Sequence, residues 1–212
     1  MAAAPLMLSE ITKHKIVPVV VVNDARQSDG LAESLVTGGL PIAEVTFRTA
    51  AAPEVIARMS RRDELLVGAG TVVTPEQVNQ AVDCGARFIV SPGLLETVVE
   101  RALELGVAVL PGAVTPSEIM AAKALGLEAV KFFPASSYGG AAAIKALAAP
   151  FVGMSFVPTG GVTADNVAEF LSLPCVSAVG GSWMVPAAKL DAGEFGEISS
   201  LVAAAVSAVA SY

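Results

Sequence analysis

The sequence is poor in the residues that most often carry chemistry. Its 212 residues include one histidine, His14, and two cysteines, Cys84 and Cys175. One histidine leaves no cluster to hold zinc, and neither His-Glu-x-x-His nor Cys-x-x-Cys occurs. A metal-dependent aldolase or hydrolase is therefore disfavoured, and no Ser–His pair is available for acyl transfer. The cysteines lie far apart, and two reduced thiols in a cytoplasmic protein are the simplest account. Aromatic residues make up 5% of a chain that is 54% hydrophobic, so Ala, Val and Leu supply the bulk. No run of about eighteen apolar residues is free of charges and breakers, so no membrane span is expected. The start, MAAAPLMLSEITKHK, has no basic segment leading into a long apolar core, which argues against a secretory signal. Positive charge is scarce too. A net charge of −7 disfavours nucleic acid as a general partner, yet leaves room for a small anion in a local pocket. No Gly-x-Gly-x-x-Gly follows the first apolar run, so a dinucleotide cofactor is not expected.

What the chain does have is one unit repeated. Short β-rich runs at 16–22, 42–48, 65–72, 87–93, 107–114, 128–135, 155–161 and 176–183 alternate with longer amphipathic stretches. Helix candidates include TPEQVNQAVDCG, LLETVVERALELG, TPSEIMAAKALG and TADNVAEFLSLP. Three begin with Thr, a good N-cap. Two of these carry Pro at the first helical position and a capping-box pattern. Gly85, Gly106 and Gly126 follow helices as stops. Strands alternating with helices imply parallel pairing. The choice lies between an open doubly wound sheet and a closed (β/α)8 barrel, and a count of eight strands favours the barrel. The segment 6–14 is expected to form an extra helix capping the bottom. No linker or composition break divides the chain, so residues 1–212 read as one domain.

In such a barrel, chemistry sits at the C-terminal strand ends. Those ends are polar and glycine-rich: Glu44 and Arg48, Thr71, Pro92, Lys131 with Phe133, then the glycines near 160 and 180. Strand alternation sharpens the picture. Glu44, Thr46 and Arg48 share one face of the second strand, opposite Val45 and Phe47. In LEAVKFFPAS, Lys131 shares a face with Ala129 and Phe133, opposite Val130 and Phe132. A carboxylate, a guanidinium and an ammonium then converge in one cavity. Lysine is left as the plausible nucleophile. Desolvation or a nearby cation can supply the free amine that attacks a carbonyl. The plainer reading is a structural Lys–Glu ion pair among tight-turn glycines. The joint occurrence of all these residues on one rim weighs against it.

The motifs EVTFRTAAA at Glu44, GAGTVVTPEQ at Gly68, IVSPGL at Ile89, LPGAVTPSE at Leu110, VKFFPAS at Val130, PTGGV at Pro158 and GGSWMVP at Gly180 occur in order. Together, from about Ile16 to Pro186, they resemble the 2-keto-3-deoxy-6-phosphogluconate (KDPG) and 4-hydroxy-2-oxoglutarate aldolase family of the Entner–Doudoroff pathway. The resemblance implies a metal-free class I aldolase of (β/α)8 fold, a homotrimer, with no cofactor and a phosphorylated keto acid as substrate. By resemblance, Lys131 matches the Schiff-base lysine and Glu44 the general acid/base. Arg48 and Thr71 match groups holding the pyruvyl carboxylate, and Pro92 and Phe133 match apolar walls. Gly160, Gly161, Gly180, Gly181 and Ser182 fall where phosphate is bound. Thr159 carries a hydroxyl where the phosphogalactonate relatives carry an apolar residue, which favours the gluconate substrate. A non-catalytic barrel serving as a binding module, and another phosphate-binding synthase barrel, leave the lysine idle. The stretch Ser136–Gly140 has no assigned role.

Overall fold

The computed structural model describes residues 4–212, with side chains described from Leu8 onward. Eight strands occur among the described residues: β1 Ile16–Val20, β2 Ile42–Thr46, β3 Leu66–Gly70, β4 Phe88–Val90, β5 Ala108–Leu110, β6 Ala129–Phe132, β7 Ser155–Pro158 and β8 Val179–Gly181. Each lies inside one of the apolar runs and is shorter than it. β4, β5 and β6 end within two residues of Pro92, Pro111 and Pro134, which have no N–H for the ladder, whereas β1 and β2 end at neither Pro nor Gly.

The helices follow the strands. They are α1 Ala4–Thr12, α2 Ser28–Thr37, α3 Ala52–Met59, α4 Pro75–Asp83, α5 Glu96–Glu104, α6 Pro116–Ala124, α7 Gly140–Ala148, α8 Val167–Leu171, α9 Ala187–Asp191 and α10 Phe195–Val209. Thr115 caps α6 in a reciprocal capping box with Glu118. Thr74 caps α4 by accepting from Gln77 N, while the Gln77 side chain accepts from Val73 N at 2.7 Å. Gly85, Gly106 and Gly126 take the left-handed conformation just past α4, α5 and α6, with φ of +97°, +71° and +80°. Two helix expectations need correction. TADNVAEFLSLP does not start a helix at Thr163. Its backbone N–H is taken by Asn166 Oδ1 at 2.8 Å in a local turn, and α8 begins only at Val167. Nor does the first helix reach His14. It ends at Thr12, where Lys15 turns the chain into β1 with φ of +63°.

All the pairing is parallel. Six strands form one sheet in the order β5-β4-β3-β2-β1-β8, and β6 and β7 pair separately. The ladder is thus not continuous round all eight. Isolated bridges join Gly112 to Lys131 on one side and Thr159 to Gly180 on the other. Register places Val19, Glu44, Gly68, Phe88 and Ala108 in one row across β1 to β5. Partners in a parallel pair project to the same face, so this row mixes large and small. A Cβ at Gly68 would enter the Phe88 ring, and Phe88 is fully buried. The opposite face packs against helices. Val45, Val130 and Phe132 are completely buried there, as alternation requires.

Candidate active site

Glu44 and Lys131 are the charged residues buried below the sheet's C-terminal rim, 3% and 5% exposed. Lys131 Nζ donates to Glu44 Oε1 at 3.1 Å. The strand pattern explains the meeting, since Glu44 is the third residue of β2 and Lys131 the third of β6. The lysine backbone is held as firmly as its side chain. Its N–H donates to Pro111 O at 2.9 Å, and its carbonyl accepts from Ala113 N at 2.9 Å. The Phe133 ring centroid lies 5.2 Å from Nζ, within range of a cation–π contact. Space for the carboxylate comes from Gly70 at the end of β3, because a Cβ there would collide with Glu44 Oε1.

Higher on the rim, Arg48 is exposed in the turn after β2. Its Nε donates to Thr71 Oγ1 at 3.2 Å. Thr71 has φ of +58°. A β-branched residue in that region is strained, a condition that clusters at functional sites. Pro92 is half-buried, and its carbonyl is so close to Gly112 that a Cβ there would strike it. Thr159 is 5% exposed and hydrogen-bonds weakly, at 3.5 Å, to Val157 O.

One cavity gathers much of the expected set. Arg48, Phe133, Thr159, Gly160, Gly161, Gly181 and Ser182 line it, with Val19, Val21 and Val162 as apolar walls. The buried Lys131 and Glu44 do not themselves line it, although Phe133, whose ring lies by Lys131 Nζ, does, and Thr71 is tied to it by its bond with Arg48. Gly180 is placed differently from its neighbours. It sits in the β8 ladder opposite Val17 and bridges Thr159, and a Cβ would strike Thr159 Oγ1. Gly181 lies against the Trp183 ring. Sequence reasoning did not single out Gly70's contact with Glu44, nor Ser136 and Asn166, which both reach the Gly161 carbonyl. The available signal for Asn166 was its spacing three residues after Thr163, an Asx-turn pattern.

Among the described residues no group of three or more His, Cys, Asp or Glu side chains could hold a metal ion. His14 lies with Glu10, Asp63, Glu64 and Arg87 around a pocket that also takes in Leu66, the first residue of β3. It is therefore at the opposite strand end from Lys131. Burial, and secondarily Lys13, lower its pKa. Among the described residues no helix is long and apolar enough to cross a membrane.

A buried amine hydrogen-bonded to a carboxylate, under a rim bearing a guanidinium, a hydroxyl and left-handed glycines, suits carbonyl chemistry on an anionic substrate. A protein-family model described as KDPG and KHG aldolase matches residues 7–201. The 2-dehydro-3-deoxy-phosphogluconate aldolase of Treponema pallidum is 45% identical over 192 residues, covering 90% of this chain and 91% of that protein. The KDPG aldolase of Legionella pneumophila, solved with pyruvate captured at low pH as a covalent carbinolamine intermediate, has a TM-score of 0.87 and 36% identity. Coverage is 90% of this chain and 93% of that one. The Zymomonas mobilis ZM4 enzyme, solved with 3-phosphoglycerate, has a TM-score of 0.88 and 38% identity, covering 93% and 94%. The chain belongs to the KDPG and KHG aldolase family, and it is a carbon–carbon lyase.

Proposed function

We propose that the chain is a class I aldolase that cleaves 2-dehydro-3-deoxy-6-phosphogluconate to pyruvate and glyceraldehyde 3-phosphate. The observation that carries this reading is the buried Lys131–Glu44 pair at 3.1 Å. One proton passes from the ammonium to Glu44, and the neutral amine attacks the C2 ketone. Glu44 returns the proton as the carbinolamine loses water to form the iminium. Its carboxylate next takes the C4 hydroxyl proton. The C3–C4 bond breaks, its electron pair moves into the iminium, and the aldehyde leaves. Protonation of the enamine at C3 and hydrolysis then release pyruvate and restore Lys131. Acid–base help of this kind is typically worth about 10²–10⁴-fold.

Arg48 and Thr71 hold the pyruvyl carboxylate in this reading, a suitable task for a guanidinium. Pro92 and Phe133 keep the lysine dry. The Thr159 hydroxyl bonds the substrate, which favours the gluconate over the galactonate configuration. Gly160, Gly161, Gly181 and Ser182 take the phosphate, while Gly180 lets Thr159 approach β8. The same site accepts 4-hydroxy-2-oxoglutarate, giving pyruvate and glyoxylate. No metal or cofactor takes part. Residues 1–212 act as one domain, an eight-stranded (β/α)8 barrel closed through the Gly112–Lys131 and Thr159–Gly180 bridges, with α1 across its bottom. The working form is a cytoplasmic homotrimer. The test is borohydride reduction in the presence of pyruvate. It should inactivate the enzyme and label the peptide containing Lys131. Labelling at Lys123, Lys145 or Lys189 instead would overturn the assignment.

A further inference from the structure

The loop after β7 turns its carbonyls one way. Thr159 O accepts from Ala135 N at 2.7 Å and Gly160 O from Ser136 N at 3.1 Å. Gly161 O accepts twice, from Ser136 Oγ at 3.1 Å and from Asn166 Nδ2 at 2.9 Å. In a trans peptide the N–H points opposite to the carbonyl before it. The N–H groups of Gly160, Gly161 and Val162 therefore turn away from these partners. None of the three is engaged by an acceptor among the described residues. All three residues line the rim cavity. Successive free N–H groups in left-handed turns form an anion-binding concavity.

Such a loop needs a clamp. Gly160 and Gly161 sit at φ of +89° and +77°, and glycine visits many other conformations at little cost. Ser136 is exposed, and its single hydroxyl can rotate to water. Asn166 is better suited. Its Nδ2 donates to Gly161 O, and its Oδ1 accepts from Thr163 N at 2.8 Å. A carbonyl only accepts and a backbone N–H only donates, so one amide orientation satisfies both partners. The side chain thus ties the two ends of the Gly161–Thr163 segment together without lining the cavity itself.

We propose that Asn166 is a positioning residue that holds the N–H groups of Gly161 and Val162 on the substrate phosphate. The inference rests on the phosphate reading above and deepens it. Asn166→Ala removes both bonds. The KM for the phosphorylated keto acid and the inhibition constant for inorganic phosphate should each rise about tenfold, the size of one lost hydrogen bond. The kcat should stay within about twofold, and kcat/KM for 4-hydroxy-2-oxoglutarate should hold, because only binding of the remote group is lost. Asn166→Ser keeps a hydroxyl acceptor for Thr163 N–H and loses the reach to Gly161, so it guards against simple failure of α8. It should show the same phosphate-specific loss. Equal losses on both substrates, or unchanged phosphate inhibition, would overturn the role of Asn166. If inorganic phosphate fails to compete even in the wild-type enzyme, the phosphate reading falls, and this inference with it.

Discussion

Gly70→Ala adds one methyl group at the place where the site has least room. A Cβ at Gly70 would overlap Glu44 Oε1 and approach Glu44 Cγ to 2.6 Å and Cδ to 2.7 Å. Gly70 and Glu44 are both buried, and Gly70 pairs in register with Thr46, so the backbone cannot yield cheaply. The carboxylate must move by about an ångström to reach ordinary van der Waals separation. The Lys131–Glu44 bond of 3.1 Å then stretches beyond the ~3.2 Å limit of a good N–H···O bond. Overpacking of this kind costs about 1–3 kcal/mol of stability. Misplacing a catalytic group by that distance costs about 10²-fold in rate, and complete loss of acid–base help costs up to ~10⁴-fold. Single-turnover kinetics should show kcat down by 10²-fold or more, with borohydride trapping at Lys131 slowed but still present. Gly196→Ala is the control. It adds the same methyl group in α10 with nothing within 4 Å, and should raise stability by about 0.5–1 kcal/mol with full activity. A folded Gly70→Ala enzyme turning over near the wild-type rate would refute the reasoning, since Glu44 would then not need its present position.

Other outcomes follow from the same geometry. Lys131→Met leaves a buried carboxylate without its cation and should cost about 3–5 kcal/mol in urea unfolding, much of which Lys131→Met with Glu44→Gln should recover. Gly161→Val forces a β-branched side chain into a left-handed turn and against Ser136. It should raise the KM for the phosphorylated keto acid about 10–100-fold, the size of one or two lost bonds to a charged group, with much less effect on 4-hydroxy-2-oxoglutarate; equal effects would withdraw the phosphate assignment. Activity should survive exhaustive treatment with EDTA, and loss that zinc or magnesium restores would reveal a metal role.

Much of this arrangement is legible in the sequence, for a physical reason. Fully buried parallel strands must be apolar runs, so eight of them stand out. Within such a run a lone charge such as Lys131 can be sided by counting alternate residues. The same count sides Glu44, and the structure brings the two together. What the sequence hides is contact between distant segments. Nothing near Gly70 announces that Glu44, 26 residues away, will occupy its missing Cβ. The ladder position of Gly180 depends on β1 and Thr159. The late start of α8 depends on a side-chain bond that competes with the helix for Thr163. The positive φ of Thr71 is invisible because propensity argues against it.

One of the two seams between the six-stranded sheet and the β6–β7 pair runs through the main chain of Lys131, which hydrogen-bonds to Pro111 and Ala113. The nucleophile of the proposed mechanism thus lies in a stitch that joins two parts of the sheet. Neither part holds the Lys131–Glu44 pair alone, since β2 supplies the carboxylate and β6 the lysine. On the proposed mechanism, activity therefore reports assembly. During refolding, helical signal in far-ultraviolet circular dichroism should return first, because helices draw on local contacts. Enzymatic activity should lag behind it and appear only as the seam closes.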